Sequence, residues 1–533
     1  VIEKFRKFCQ ERDDVDVVRF TTFFHQFTLQ FDELAREKFV DWFGYSASVS
    51  PYILKQFEEE VGYRFRPEFI INKGFNNSTF CVPTKEYRDF MDFQQREVSK
   101  LAKKFVDICH EYGKEAMMFL GDHWIGTEPY GKYFETIGLD AVVGPVGNGV
   151  TMRMISDIKG VRYTEGRFLP YFFPDVFCEG GDPIKEAKDN WLQARRAILR
   201  SPLDRIGYGG YLKLAVEWPG FVDTITQVVD EFRQIHDLTK ETKAYTSPFK
   251  VAILNCWGSI RRWMNNQVHH AIWYREIYSY VGIIECLSGM PIDVEFINFD
   301  DIKKGINPDI KVIIKRRYYG EEKNKTFIQC IHLIEAYGNV AEGYERILED
   351  MGFIGVGEPT AYQYQGKFFQ LSDVLGVDKE VGFTLSHDKY NTVDPNHFIV
   401  EDIEGEIDFG EGQKNIYSKS KETEIICYRN GDLLMSSNDY GKGRAVYIAG
   451  LPYSLQNTRI LMRSCFYASH KEKEMKKWYA DNLNCEVSAY LESNKYAVIN
   501  NSHEKQSTII YDGSGNKIKF ELQPGEIKWS KIS

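Results

Sequence analysis

The sequence lacks long apolar segments, an excess of positive charge and paired cysteines. Among its 533 residues, no apolar run approaches the roughly 20 residues that a membrane-spanning helix needs. The net charge of −10 and the pI of about 5.7 provide no general attraction to nucleic-acid phosphates or anionic lipid. We therefore expect neither a membrane partner nor a nucleic-acid partner.

The ten cysteines are scattered and form no CxxC or other pair with metal-site spacing. This pattern predicts buried free thiols in a reducing compartment and no bound metal. The chain opens with the charged, amphipathic stretch Val1–Phe8, which is unlike a secretory signal. We therefore predict a cytoplasmic location, and because Val1 is not Met we expect the numbering to begin inside a longer protein.

Aromatic residues make up 15% of the chain. Aromatic rings stack on the flat faces of sugars, but they also fill apolar cores. The aromatic content is therefore compatible with a sugar ligand and does not require one.

The pattern of apolar runs predicts an α/β protein of three domains. Residues 1–245 alternate short strands with helices, as in a (β/α)8 TIM-type barrel. They contain only about five strand-like runs, at residues 15–20, 116–120, 141–144, 160–164 and 206–210, and an amphipathic run from Tyr87 to Tyr112 predicts a long helix. We expect an incomplete barrel whose first strands are absent. A second α/β domain is predicted over residues 246–472, and short strands separated by Asn, Gly and Asp turns predict an antiparallel β domain over 473–533.

In a parallel barrel the chemistry lies where the strands end. Asp122 follows the strand-like run Ala116–Leu120 and precedes His123 and Trp124. A carboxyl against an aromatic wall has a raised pKa and can protonate a leaving glycosidic oxygen. The alternative role for Asp122 is a helix N-cap.

Arg19 and Arg167 also follow predicted strands, and Gly166 precedes Arg167. A guanidinium offers forked donors that suit phosphate, although either arginine could instead form a surface ion pair. Tyr171 and Phe173 lie in an aromatic segment that could line a sugar subsite or simply pack in a loop.

Hydrolysis of a glycoside needs two carboxylates, whereas phosphorolysis needs fewer groups because inorganic phosphate is itself the nucleophile. One acid with an arginine clamp therefore favours a phosphorylase. A hydrolase would require a second essential carboxylate, for which Glu165 is the first candidate and Glu128 and Asp175 are others.

Three stretches resemble the galacto-N-biose/lacto-N-biose phosphorylases of glycoside hydrolase family 112, which also contains galactosyl-rhamnose phosphorylases. The stretches are residues 16–24, 114–129 and 163–175. The resemblance runs over most of residues 10–300 and again over about 352–395. It implies a barrel, an α/β domain and a β domain, a homodimer, and inverting phosphorolysis of a β-1,3-galactosyl-N-acetylhexosamine to α-galactose 1-phosphate.

The family's motifs carry over onto five residues of this chain. Asp122 matches the general acid, and Arg19 and Arg167 match arginines of the phosphate and galactose region. Tyr171 and Phe173 match the lining of the sugar and phosphate pocket. The resemblance implies inorganic phosphate as the co-substrate and no metal or organic cofactor.

Two departures from the family keep alternatives open. We expect the family's N-terminal barrel strands to be missing from this chain, so the acceptor (GlcNAc, GalNAc or rhamnose) stays open, as does an inactive sugar-binding remnant. The second departure runs from Lys315 to about Met351, where the chain is basic and unlike the family. We expect poor packing in this stretch.

Overall fold

The chain forms two compact units in a computed structural model. The structure describes residues 1–21, 27–30, 39–42, 50–71, 85–120, 130–156, 158–168, 176–254, 282–297, 305–317, 348–357, 369, 371–380, 393–410 and 412–532. Described residues up to Ala244 belong to the first unit, and those from Tyr245 belong to the second.

The first unit is built on a parallel sheet of five strands in the order β1-β4-β5-β6-β7. The strands of this sheet are β1 (Val17–Thr21), β4 (Glu115–Phe119), β5 (Ala141–Pro145), β6 (Tyr163–Phe168) and β7 (Arg205–Tyr208). A separate antiparallel pair is formed by β2 (Phe27–Gln30) and β3 (Phe39–Trp42).

Helices connect these strands, and the sequence marks where several of them begin. The helices are α1 (Ile2–Glu11), α2 (Pro51–Val61), α3 (Glu68–Ile71), α4 (Lys85–Glu111), α5 (Gly149–Ser156), α6 (Pro183–Ile198), α7 (Leu212–Glu217) and α8 (Phe221–Thr239), with a 3-10 helix at Gly131–Ile137. Before α6, the Asp182 carboxylate accepts a hydrogen bond from the Lys185 N–H at 2.9 Å. The next residue, Pro183, has no N–H that needs a partner, so this pair sets the start of the helix.

The two faces of the five-stranded sheet have different environments. On one face, Phe20 contacts Phe5 of α1 and Phe105 of α4, and Phe168 contacts Trp191 of α6. Successive side chains of a strand point to opposite faces. The face away from these helices therefore carries Val17, Arg19, Met117, Phe119, Ala141, Val143, Tyr163, Glu165, Arg167, Arg205 and Gly207, and we call it the inner face.

The second unit contains a seven-stranded mixed sheet in the order β14-β15-β16-β11-β10-β8-β9. Its strands are β8 (Lys250–Leu254), β9 (Asp293–Ile297), β10 (Ile310–Arg317), β11 (Gly352–Gly357), β14 (Glu424–Arg429), β15 (Asp432–Tyr440) and β16 (Gly443–Ile448). β8 to β11 and β16 run parallel, whereas β14 and β15 form an antiparallel edge. A pair of short strands, β12 (Val377–Lys379) and β13 (Ile416–Ser418), and the helices α9 (Ser372–Leu375) and α10 (Leu455–Ala468) complete this part.

The second unit also contains two antiparallel sheets of three strands, in the orders β17-β20-β21 and β18-β19-β22. The strands are β17 (Tyr479–Ala480), β18 (Cys485–Tyr490), β19 (Lys495–Asn500), β20 (Gln506–Tyr511), β21 (Lys517–Leu522) and β22 (Ile527–Lys531). Alternate residues from both sheets, among them Val487, Val498, Ile510 and Phe520, form one core.

The predicted fold class agrees with these sheets, but some predicted strands are displaced. β1 begins two residues later and ends one residue later than the run Val15–Phe20 suggests, so Arg19 lies in the middle of the strand and not at its end. β6 runs Tyr163–Phe168, whereas the sequence predicted a strand over residues 160–164. That prediction was wrong because a strand can alternate polar and apolar residues, and β6 does so. The three-domain division and its boundaries stay a prediction.

Candidate active site

Charged side chains gather on the inner face although three different strands carry them. Glu165 of β6 pairs in register with Arg205 of β7, and Arg167 pairs with Gly207. Arg167 therefore lies two residues nearer the carboxyl end of the sheet than Glu165. In parallel barrels this is the end at which ligands bind.

The Arg167 guanidinium lies over the ring of Phe119, with 4.3 Å between its central carbon and the ring centroid. Phe119 is the last residue of β4, and β5 separates that strand from β6. The contact is a cation–π interaction, which holds the positive head while leaving its edges able to donate hydrogen bonds. It joins an arginine that was predicted to bind an anion to the strand that precedes Asp122.

The Glu165 carboxyl is half-buried on the same face. Burial raises its pKa, and the positive charges of Arg205 and Arg19 oppose the rise. Arg19 acts on Glu165 although β1 and β6 are separated by β4 and β5. The inner face therefore combines cationic side chains with one carboxyl that is easier to protonate than an exposed glutamate.

A second polar layer lies toward the amino ends of the strands. The Tyr163 hydroxyl donates a hydrogen bond to a Glu115 oxygen at 2.6 Å, and the Arg205 guanidinium lies 4.0 Å from the Tyr163 ring centroid. Burial, followed by the bond to Glu115, raises the pKa of Tyr163 to about 12. Tyr163 therefore keeps its proton at neutral pH and acts as a hydrogen-bond donor.

Sequence reasoning missed Arg205. It is the first residue of β7 and was overlooked because only the glycine-rich run after it suggested a strand. The signal that could have found it is the two-residue repeat of side-chain direction in a strand. Residues 205, 207 and 209 share one face of an extended chain, and Arg205 is the first of them.

The structure places two of the five predicted site residues. Arg19 is exposed in the middle of β1, and Arg167 is the penultimate residue of β6. Asp122, Tyr171 and Phe173 lie outside the described residues, as do the alternative carboxylates Glu128 and Asp175. Most of the stretch in which poor packing was expected also lies outside them, since only 315–317 and 348–351 of it are described. The roles of all five residues stay predictions.

Two kinds of feature are absent from the described part of the chain. No cluster of three or more His, Cys, Asp or Glu side chains there is arranged to hold a metal ion. No helix within the same residues has both the length and the apolar character needed to span a bilayer.

Family models for three consecutive domains match nearly the whole chain. Residues 1–247 match the lacto-N-biose phosphorylase N-terminal TIM barrel domain, residues 250–473 the central domain, and residues 478–530 the C-terminal domain. The parallel sheet of the first unit is thus that of a TIM-barrel enzyme, as the sequence predicted. The chain belongs to the lacto-N-biose phosphorylase family.

Individual proteins agree with this assignment. A 1,3-beta-galactosyl-N-acetylhexosamine phosphorylase of Lachnoclostridium phytofermentans is 56% identical over 99% of this chain and 72% of its own length. A D-galactosyl-beta-1->4-L-rhamnose phosphorylase of the same organism is 34% identical over 94% of this chain and 69% of its own length. The structure of a beta-galactosidase from Rahnella sp. R3 is similar in fold, with a TM-score of 0.54 and 13% identity, covering 100% of this chain and 81% of that chain. The resemblance and the phosphorylase class that it implied are confirmed.

Proposed function

We propose that this protein catalyses the inverting phosphorolysis of β-1,3-galactosyl-N-acetylhexosamines, with galacto-N-biose or lacto-N-biose as substrate. The products are α-galactose 1-phosphate and the free N-acetylhexosamine. The observation that carries the proposal is the high identity, along nearly the whole chain, to a phosphorylase named for that substrate.

The inner face supports this choice. A phosphorylase must bind an anionic nucleophile beside the sugar. The inner face carries Arg19 and Arg167, and Arg205 lies on the same face nearer the amino ends of the strands. These cations offset the mutual repulsion between the phosphate and the active-site carboxylates. Positioning and charge neutralisation then replace the catalytic base that a hydrolase needs.

The proposed mechanism assigns one role to each site residue. Arg19 and Arg167 hold inorganic phosphate while one of its oxygens attacks the anomeric carbon of galactose. Asp122 gives its proton to the glycosidic oxygen as the bond from that oxygen to the anomeric carbon breaks. Tyr171 and Phe173 line the sugar pocket. Attack opposite the departing N-acetylhexosamine inverts the configuration from β to α, and no metal or organic cofactor takes part.

One observation favours a second candidate, a β-galactosidase-like hydrolase. Glu165 is a half-buried carboxyl with a raised pKa on the same face as Arg167. A hydrolase could use such a group as its second carboxylate. The surrounding arginines fit an anionic co-substrate better than they fit water, so phosphorolysis is preferred.

Lacto-N-biose incubated with the purified protein, with and without inorganic phosphate, separates these activities. We expect galactose 1-phosphate only when phosphate is present, and we expect Asp122→Asn to abolish it. Free galactose formed without phosphate, and lost in Glu165→Gln, would establish the hydrolase instead. Galacto-N-biose and galactosyl-β-1,4-rhamnose tested in parallel identify the acceptor, and no product from any of the three would support a sugar-binding remnant.

Location and assembly are also part of the proposal. None of the seven cysteines in the described residues is in a disulfide, which suits the reducing cytoplasm. The homodimer that the resemblance implies stays a prediction, and sedimentation velocity of the purified protein would test it.

A further inference from the structure

Gly209 lies beside the Arg167 side chain, just past the end of β7. A Cβ atom added at Gly209 would lie 2.0 Å from Cγ, 2.4 Å from Cδ and 3.0 Å from Nε of Arg167. These atoms form the stem of the side chain, so a small rotation of the guanidinium head would not relieve the overlap. The Arg167 stem can lie where it does only because residue 209 has no side chain.

The backbone of Gly209 cannot easily move away. Its N–H donates a hydrogen bond to the carbonyl oxygen of Phe168 at 3.0 Å, which extends the pairing of β7 with β6 by one residue. Phe168 directly follows Arg167 and packs against Trp191 on the opposite face. Any side chain at 209 would therefore displace Arg167 before it displaced the strand.

The other end of the Arg167 side chain rests on Phe119. The cation–π contact at 4.3 Å fixes the guanidinium, while the bare backbone at Gly209 accommodates the stem. Contacts on two sides leave a long, flexible side chain few rotamers, and a donor that is already oriented loses less entropy when it binds a ligand.

We propose that Gly209 and Phe119 are positioning residues that hold Arg167 where it binds the tetrahedral oxyanion consumed in the reaction. Affinity for inorganic phosphate then depends on the absence of a side chain at 209 and on an aromatic ring at 119. The inference rests on the proposed phosphorolysis, because it assigns Arg167 to phosphate.

Gly207 provides a matched control. It lies two residues earlier on the same strand and the same face, and a Cβ atom there would lie 3.8 Å from the nearest Glu165 oxygen, an ordinary contact. Gly207→Ala and Gly209→Ala therefore make the same chemical change on one strand, and only the second displaces Arg167. For Phe119, Phe119→Tyr keeps the ring and Phe119→Leu removes it.

The test measures KM for phosphate at saturating disaccharide, KM for the disaccharide at saturating phosphate, and the rise in Tm on adding phosphate. We expect Gly209→Ala to raise KM for phosphate on the order of ten-fold or more, because a displaced ligand is poorly aligned. Phe119→Leu should raise it about three- to ten-fold, the range of a partly buried cation–π contact. Gly207→Ala and Phe119→Tyr should stay close to wild type, and KM for the disaccharide should change little in all four variants.

Equal KM for phosphate in Gly209→Ala and Gly207→Ala, or in Phe119→Leu and Phe119→Tyr, would overturn the inference while leaving phosphorolysis intact. A wild-type protein that needs no phosphate would instead refute the proposed function, and the inference with it. If Gly209→Ala does not fold, the two Phe119 variants decide, together with the phosphate-induced rise in Tm.

Discussion

Removing the Arg167 side chain should weaken phosphate binding more than it changes any other property of the enzyme. The guanidinium lies on the inner face near the carboxyl ends of the strands and is held 4.3 Å from the Phe119 ring centroid. Arg167→Ala removes a charge and a forked donor without adding bulk. It should therefore affect the phosphate complex and leave the sheet intact.

The size of the effect follows from the number of hydrogen bonds lost. One hydrogen bond between a charged donor and an anion contributes about 1.5–3 kcal/mol, and about 1.4 kcal/mol corresponds to a factor of ten in affinity. Loss of one such bond raises KM for phosphate about ten- to one-hundred-fold. Arg167→Lys should lie between Arg167→Ala and wild type, because lysine keeps the charge but not the planar fork.

The measurement is steady-state formation of galactose 1-phosphate over a range of phosphate concentrations, with urea unfolding as a stability control. Arg162→Ala is the matched variant. Arg162 immediately precedes the same strand at its amino end, its own side chain is exposed, and it pairs with Glu115 and Asp140, each at 2.9 Å. Arg162→Ala should leave the urea midpoint and KM for phosphate close to wild type, because an exposed arginine contributes little to stability. Equal KM values for phosphate in Arg167→Ala and Arg162→Ala, with both proteins folded, would refute the reasoning.

Two further predictions concern stability. Asp402→Asn should lower the free energy of unfolding by about 2–3 kcal/mol, less than the roughly 3–5 kcal/mol of a fully buried pair, because Asp402 is one-third exposed. One Asp402 oxygen accepts hydrogen bonds from Arg459 at 2.8 Å and from Tyr479 at 3.0 Å. An unchanged urea midpoint in Asp402→Asn would contradict the predicted loss of stability. Asp140 is subject to burial, which raises its pKa, but the Ala116 N–H and His110 lower it more, so its pKa lies below the usual value. Its carboxylate therefore stabilises the folded state at neutral pH, and this contribution is lost as the pH falls below about 4. The difference in unfolding free energy between wild type and Asp140→Asn should shrink from pH 7 to pH 3, and a constant difference would count against the assignment.

Local patterns in the sequence were sufficient to identify many elements. The amphipathic run from Tyr87 to Tyr112 predicted a long helix, and α4 occupies Lys85–Glu111. Four short runs near the C terminus predicted four of the strands in the two small antiparallel sheets. These predictions depend on neighbouring residues alone, because the period of apolar side chains is set by the local backbone.

The antiparallel part of the seven-stranded sheet was harder to predict. β14 and β15 add an antiparallel edge to a parallel sheet, and no predicted strand covered them. Their apolar pattern is weak because polar residues are also buried in β15, where Ser436 and Ser437 follow Met435. The same weakness shifted β6, whose polar residues Glu165 and Arg167 interrupt the apolar pattern.

The sequence by itself determined the class of chemistry. One candidate acid, two arginines and the long motifs around them pointed to phosphorolysis, and the family models agree. Motifs carry this information because the residue types that hold a phosphate and a sugar are few.

Only the tertiary structure decided which side chains share a surface. Arg205 faces Glu165, and Gly209 makes room for Arg167, because β6 and β7 are neighbours in one register. Asp402 contacts Arg459, 57 residues away, because a loop lies against a helix. Such pairings follow from strand order and packing, and the spacing of residues along a chain does not contain them.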